Sequence, residues 1–462
     1  MNKPHHTMRP SPPRLLLAAV LLPLATLSAA AQQTLTLGEA ISQALRVNPA
    51  IQTSRYGVSN AEAQINEAKS GTLPTINLSA QYQRNLQRPV FFFPGQDGVV
   101  RPIEIGSDNA ITATLSVQQI VYNNAAFEAP NTAEKYGEVS SEQLRSDATQ
   151  TVLNIRRAYL GAQYARRVVT VQQQLLANST ENQRLTSALF RAGLRAELDT
   201  ITAAVQVANL RPAVTQANDT YESSLDQLRV AVGYGPDKRL EPSDELVLPT
   251  TDVKVPSLEE ARSIMAQNNP QLRALRLTND VNQDLVEIKR SDMLPTVSVF
   301  GQYQLQSQTN DLLEQSFQPS AAVGINLSYN IFNGGKTTAQ VEQARVTLEQ
   351  GRTRLQQTQI ALDAQLQSTL RRIAYAQQRI ATSAQTIAQA EKGQRLAAIA
   401  YKAGTGTPNQ INDADVALAQ ARLNQLSAAY DFNVGLAELE GLLGQEVKLN
   451  ATGTDVIYTA GR

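Results

Sequence analysis

Four stretches of the chain alternate apolar and polar residues with period two. Ile76, Leu78, Ala80 and Tyr82 alternate with Thr75, Asn77, Ser79, Gln81 and Gln83; Ile111, Ala113, Leu115 and Val117 alternate with Thr112, Thr114, Ser116 and Gln118. Further along, Val297, Val299, Tyr303 and Leu305 alternate with Thr296, Ser298, Gln302 and Gln304, and Val323, Ile325, Leu327 and Tyr329 with Gly324, Asn326, Ser328 and Asn330. Period two predicts β-strands. Each runs about nine to eleven residues, the length a tilted strand needs to cross a bilayer. The polar face is Ser, Thr, Asn and Gln almost without charge, which suits a water-filled lumen. Any one strand alone fits a half-buried soluble sheet as well. Four strands are too few to close a barrel, which takes roughly eight, so a barrel here needs several chains.

Two other stretches follow a helical period. Residues Asn124–Phe190 and Gly335–Tyr401 predict helices that would each reach roughly 100 Å at about 1.5 Å per residue. In the second, Val341, Leu348, Leu355 and Leu362 recur every seven residues; the series then steps by four to Leu366 and resumes at Ile373, Ile380 and Ile387. Such a stutter locally unwinds a supercoil. In the first, Val168, Val171, Leu175, Leu185 and Leu189 keep three-four spacing, with Asn178 and Asn182 at the missing steps. An ordinary two-stranded coiled coil fits the heptads too. Ala192-Gly193-Leu194 and Ala403-Gly404-Thr405 then turn the chain. Return helices follow at about Asp199–Val232 and Gln410–Leu443, with Pro212 expected to kink or divide the first.

The pattern is a duplication. Leu37-Gly38-Glu39-Ala40 and Asn48-Pro49 recur as Leu258-Glu259-Glu260-Ala261 and Asn269-Pro270, and Leu73-Pro74-Thr75 as Leu294-Pro295-Thr296, each 221 residues on. Phe190-Arg191-Ala192-Gly193 recurs as Tyr401-Lys402-Ala403-Gly404, 211 residues on. The difference falls at Pro89–Gly95, which reads as a loop. Each copy opens on two helices, Leu37–Asn48 and Pro49 to about Gly71 in the first, with Pro49 in a first turn. The chain therefore divides into residues 1–31, a first repeat 32–232, an irregular connector 233–256, a second repeat 257–444 and a C-terminal segment 445–462.

Residues 1–31 read as a secretory signal peptide: Lys3, Arg9 and Arg14, an apolar stretch Leu15–Leu27, then Ala29-Ala30-Ala31 before a cut at Gln32. Both histidines, His5 and His6, lie inside it, and the chain has no Cys and no Trp. The mature chain thus lacks the usual neutral-pH acid–base group and the soft metal ligand. The chain's net charge is +0, so losing three positive residues leaves −3, which gives no reason to expect nucleic acid. After residue 31 no run of about 20 apolar residues exists; a membrane location then requires a closed barrel.

Taken together, the paired Leu-x-Glu-Ala and Asn-Pro segments, the Leu-Pro-Thr strand starts, Ile331-Phe332-Asn333-Gly334-Gly335 and the aromatic-x-Ala-Gly turns resemble the TolC family of outer-membrane efflux proteins over essentially the whole mature chain. The resemblance implies a mainly α fold with a membrane β-barrel. In a homotrimer, four strands per chain would give a twelve-stranded barrel in outer-membrane lipid, and the long antiparallel helices a periplasmic tunnel. It implies a passive duct with no cofactor, coupled by a periplasmic adaptor to an inner-membrane pump, with adaptor contacts at the turns Gly193, Leu194, Gly404 and Thr405. The tunnel would be shut by the helices near its tips and open by an iris-like untwisting. The family's pair of acidic constriction residues falls on Gln410 and Asp413, so one acidic ring is lost; the first-copy position is Asp199. Asp413 would form an anionic ring, or simply favour a helix N-terminus. Asp415 is a competitor for the lumen-facing position, and Asp199 also fits an N-cap. Two other classes fit the sequence less well. A periplasmic coiled-coil scaffold leaves the four charge-poor strands without explanation, and a soluble α+β enzyme lacks its usual His and Cys.

Overall fold

The computed structural model describes residues 33–94, 98–248, 254–449 and 455–458. In chain order the first half contains β1 (Gln33–Leu35), α1 (Leu37–Val47), α2 (Pro49–Ser70), β2 (Thr75–Arg84), β3 (Val90–Pro94), β4 (Val100–Glu104), β5 (Asn109–Tyr122), α3 (Asn124–Arg191) and α4 (Glu197–Val232). The second contains β6 (Leu240–Pro242), α5 (Leu258–Asn268), α6 (Pro270–Ser291), β7 (Thr296–Thr309), β8 (Gln318–Ser328), α7 (Lys336–Lys402), α8 (Pro408–Leu443), β9 (Val447–Leu449) and β10 (Val456–Tyr458). The segment read as a signal peptide lies outside the described residues.

The duplicated motifs have duplicated jobs. Thr36 caps α1 through a reciprocal pair, its Oγ1 accepting from Glu39 N–H and Glu39 Oε2 accepting from Thr36 N–H. Ser257 and Glu260 repeat this at α5. Asn48 ends α1 and starts α2: its Oδ1 accepts from Ala50 N–H at 2.9 Å, and its Nδ2 donates to the Ala231 carbonyl at the end of α4, also at 2.9 Å. Asn269 accepts from Leu272 N–H at 3.1 Å and donates to the Leu442 carbonyl at the end of α8 at 3.0 Å. Each Asn-Pro corner is therefore tied to the helix end of its own repeat, which Gly233 or Gly444 closes in the left-handed conformation.

α3 and α7, of 68 and 67 residues, run from the ends of strands β5 and β8 to the two hairpin turns. Near the strands the helices lie in the order α2, α3, α6, α7; at the far end the order is α4, α3, α8, α7. One apolar cluster joins Ile41, Ile51, Leu144, Ile155, Tyr159, Leu228 and Val447, and a second joins Leu272, Leu366, Ile373, Phe432 and Leu439. The stuttered seam supplies the second with Leu362, Leu366 and Ile373, and with Leu355 and Ile380 partly buried against them; Val341 and Leu348 of the same seam are buried outside it. Arg145, itself buried, donates to the carbonyls of Gly444 and Val447, fixing the C-terminal strands onto α3.

The structure corrects four readings. Pro89–Gly95 is not a plain loop: β3 and β4 form an antiparallel hairpin, and only Gly95 lies outside the described residues. The β-forming run Val90–Phe93 makes a two-stranded ribbon, where Pro94 and Pro102 are tolerated because no third strand needs their missing N–H. The connector 233–256 is not irregular throughout, since β6 pairs in parallel with β1. Pro212 does not divide α4, and Pro130 likewise sits inside α3; packing of α4 along α3 outweighs one lost hydrogen bond. Asp199 is not an N-cap: Ala196 occupies that position and makes no side-chain cap, leaving Asp199 in the first turn of α4.

A strand face and two hairpin ends as the candidate channel site

β2, β5, β7 and β8 form one antiparallel sheet in that order. Its register sorts most of the side chains by polarity. Leu78 lies opposite Leu115, Leu115 opposite Tyr303 and Tyr303 opposite Ala321; Ile76, Val117, Gly301 and Val323 form the next row. The other face carries Ser79, Thr114, Gln304 and Ser320 in one row and Asn77, Ser116, Gln302 and Ala322 in another. Phe300 and Ile120 are large apolar groups on that polar face, Ile120 opposite Ser298; Phe300 lies over Gly324, where a Cβ would approach its ring to 2.8 Å. Neither edge strand has a partner among the described residues. On the apolar face Leu78 is 77% and Val323 89% exposed. No helix of the described residues is long and apolar enough to cross a membrane.

At the far end the two hairpins α3–α4 and α7–α8 present their turns. Gly193 and Gly404 adopt φ of 74° and 79°, the left-handed conformation that their turns require. Leu194 and Thr405 are exposed beside them. In the second turn Gly406 is needed for another reason: a Cβ there would lie 2.9 Å from Tyr401 N. Gln410 is exposed, but its side chain is engaged in the capping box of α8, accepting from Thr407 N–H at 2.9 Å. Asp413 is exposed and Asp199 half-buried, each near the start of its helix.

Asp415, unlike Asp413, is buried, at 3% exposure. Its carboxylate accepts from Asn178 Nδ2 at 3.2 Å, Asn182 Nδ2 at 2.9 Å and Gln394 Nε2 at 2.9 Å. The two asparagines that interrupt the apolar seam of α3 are thus donors to a buried anion. Arg195 is a second group the sequence did not single out. Its guanidinium lies 4.7 Å from the centre of the Tyr401 ring and donates to the Gly406 carbonyl at 2.9 Å. Its only sequence signal is a second Arg at the first turn, beside Arg191.

A family model for outer membrane efflux proteins matches residues 40–234 and 261–445, most of the chain and both repeats. The chain belongs to the outer membrane efflux protein family. Outer membrane protein TolC of Vibrio cholerae is 23% identical over 91% of this chain and 93% of its own length. The alkaline protease secretion protein AprF of Pseudomonas aeruginosa is 25% identical over 73% of this chain and 70% of its own. The fold matches the crystal structure of the Campylobacter jejuni CmeC outer membrane channel with a TM-score of 0.75 at 16% identity, covering 88% of this chain and 85% of that one. This efflux protein is accordingly an outer-membrane channel for efflux or secretion, with its helices forming a periplasmic tunnel. The family comprises channels rather than enzymes.

Proposed function

We propose that three copies of the chain join β2 of one to β8 of the next, closing a twelve-stranded barrel whose polar face lines the lumen. The observation that carries this reading is the pair of bare sheet edges with an apolar face exposed between them. Backbone N–H and C=O groups left unpaired in lipid cost several kcal/mol each, so the edges need partners. The flanking helices α4 and α7 are open in the same sense, because the order α4, α3, α8, α7 ends on them.

The assembly is a passive exit duct for small molecules or exported proteins. It uses no cofactor and performs no catalysis; a periplasmic adaptor meets the exposed turns at Gly193, Leu194, Gly404 and Thr405, and an inner-membrane pump supplies the energy. The hairpin ends form its inner mouth. Three Asp413 carboxylates there make a single anionic ring that favours cations, with Asp199 charged nearby and Gln410 occupied in its helix cap.

The test is the mass of the detergent-extracted protein and its bilayer conductance. A trimer from the outer membrane, whose cation selectivity falls in Asp413→Asn, supports the reading. A soluble periplasmic monomer or dimer overturns it in favour of a coiled-coil scaffold. A trimer with unchanged selectivity removes the Asp413 ring alone.

A further inference from the structure

The two copies of the repeat differ at the end of the sheet away from the helices. Every helix joined to the sheet meets it at one end: α2 leads into Thr75, α3 follows Tyr122, α6 leads into Thr296 and α7 follows Ser328. The helices form the periplasmic tunnel, so the connections at the other end face the cell exterior. In the second copy residues 310–317 make this connection without a strand. In the first, residues 85–108 carry the β3–β4 ribbon. Its base is fixed to the rim of the sheet. Arg88 Nε donates to Asp108 Oδ1 at 2.9 Å, Asn85 Nδ2 to the Ser107 carbonyl at 2.8 Å, and Asp108 N–H to Asn310 Oδ1 at 3.1 Å.

The register divides the ribbon between two faces. Phe91, Phe93 and Ile103 lie on one, with Arg101; Val90, Phe92 and Val100 lie on the other, with Pro94, Pro102 and Glu104. The rings of Phe91 and Phe93 are 6.4 Å apart. All of these residues are exposed, Phe91 at 54% and Phe92 at 69%. A two-stranded ribbon alone in water is marginally stable at best, and this one presents apolar groups on both sides. A ribbon lying on lipid would bury one face and keep the other polar. Both faces are covered at once when each ribbon stands between two others. Contacts between unlike faces, the first face of one copy on the second face of the next, close into a ring when the copies turn about one axis.

A trimer supplies that arrangement. The ribbon springs from the connection after β2, the edge strand that meets the next copy, so it stands beside the seam between copies. Its length also fits. Twelve strands spaced about 4.8 Å apart and tilted about 40° enclose a barrel about 12 Å in radius. Each strand of the ribbon has 5 residues, about 16 Å at roughly 3.3 Å per residue. A ribbon leaning inward from the rim therefore reaches the axis, where it meets the ribbons of the other two copies.

We propose that the three ribbons pack on one another, Phe91 and Ile103 of one copy against Phe92 of the next, as an apolar cap over the outer mouth of the duct. The cap rests on the trimer given under Proposed function, and the mass of the wild-type protein in detergent decides the trimer separately. The chain has no Cys and no Trp, so introduced residues report alone. Phe92→Cys combined with Ile103→Cys puts thiols on opposite faces of one ribbon, where they cannot bond within the chain. Oxidation of this double variant in liposomes is expected to give covalent trimers on denaturing gels, while each single variant stays monomeric. Cross-links in a single variant would mean that like faces meet, and overturn the ring. A protein that is trimeric by mass but forms no cross-link in any variant overturns the cap and leaves the trimer standing. A wild type that is not trimeric sinks both. Phe92→Trp then reads what covers the ribbon. Acrylamide should quench it at least about threefold less than the exposed loop control Leu313→Trp, and brominated lipid at least about threefold less than Leu78→Trp on the apolar sheet face. Quenching by lipid equal to the control would assign the ribbon to the membrane, and quenching by acrylamide equal to the control would leave it open to the exterior; either overturns the cap. Phe91→Ser with Phe92→Ser should raise bilayer conductance about twofold or more, and unchanged conductance would remove the ribbons from the outer mouth.

Discussion

Gly444→Ala separates two reasons for a glycine. Gly444 closes α8 with φ of 67°, and a Cβ there would lie 2.5 Å from the Asn268 carbonyl oxygen, 2.9 Å from its carbon and 3.1 Å from Asn269 Cα. These are backbone atoms, so no side chain can swing aside. The left-handed conformation costs a non-glycine residue about 1 kcal/mol. The clash adds to this by pushing the Asn269 corner off α8, which breaks the Asn269–Leu442 bond and leaves buried polar groups unpaired, for about 1–3 kcal/mol. The expected loss is roughly 2–4 kcal/mol, a large share of the 5–15 kcal/mol typical of a folded domain. Gly193 provides the comparison: its φ is 74°, but nothing lies within 4 Å of the Cβ position. Gly193→Ala should therefore lose only about 1 kcal/mol. Denaturant unfolding followed by circular dichroism measures both. Asn269→Ala should be strongly sub-additive with Gly444→Ala, because both remove the same bond. Equal losses at Gly193 and Gly444, or full additivity with Asn269→Ala, would refute the argument.

Other outcomes are expected elsewhere. Burial first, and then the neighbouring Glu440 carboxylate, push Glu446 from an ordinary 4.5 up to about 8, against the pull of Arg156. A raised carboxylate pKa means that the folded state holds the proton more tightly; stability is full below about 4.5 and falls as pH rises towards 8. Glu446→Gln should thus flatten that decline, melting closer to wild type at pH 5 than at pH 8. At Gly351, where α7 crosses α6, a Cβ would lie 2.2 Å from Asn279 Oδ1 and 3.1 Å from Asn282 Nδ2. Both are side-chain ends, so Gly351→Ala should cost only about 1–3 kcal/mol by overpacking, and Gly351→Ala with Asn279→Ala should recover most of it in the same unfolding assay. Asp413→Asn should lower cation selectivity in bilayers while leaving the unfolding midpoint unchanged, since Asp413 is exposed.

The elements of the fold were legible because each rests on a local pattern. Period two marked β2, β5, β7 and β8, and the heptads with their step from Leu362 to Leu366 marked α7. The repeated Leu-x-Glu-Ala and Asn-Pro motifs proved to be caps and corners, which depend on residues three or four apart. What escaped depends on distant partners. The β3–β4 hairpin was hidden by Pro94 and Pro102, whose usual meaning holds only in the middle of a sheet. Pro212 suggested a kink or a division because propensity says nothing of the long flank α4 gains along α3, and the division does not occur. At the hairpin ends, Asn178 and Asn182 read as gaps in an apolar seam, while Asp415 read as a rival to Asp413. Only the packing of α3 against α8 shows that these misfits belong to one another.

The unpaired edges of the four-stranded sheet bear on how the protein reaches its membrane. A chain alone carries two rows of free backbone groups beside an apolar face, which suits neither water nor lipid. In the proposed trimer, insertion waits on encounter with other copies, and the arrival of the last edge completes both the barrel and its fit to the bilayer. Until then the strands are the part of the chain most exposed to mispairing. The helices, with two buried clusters formed within one chain, need no second copy to bury those residues.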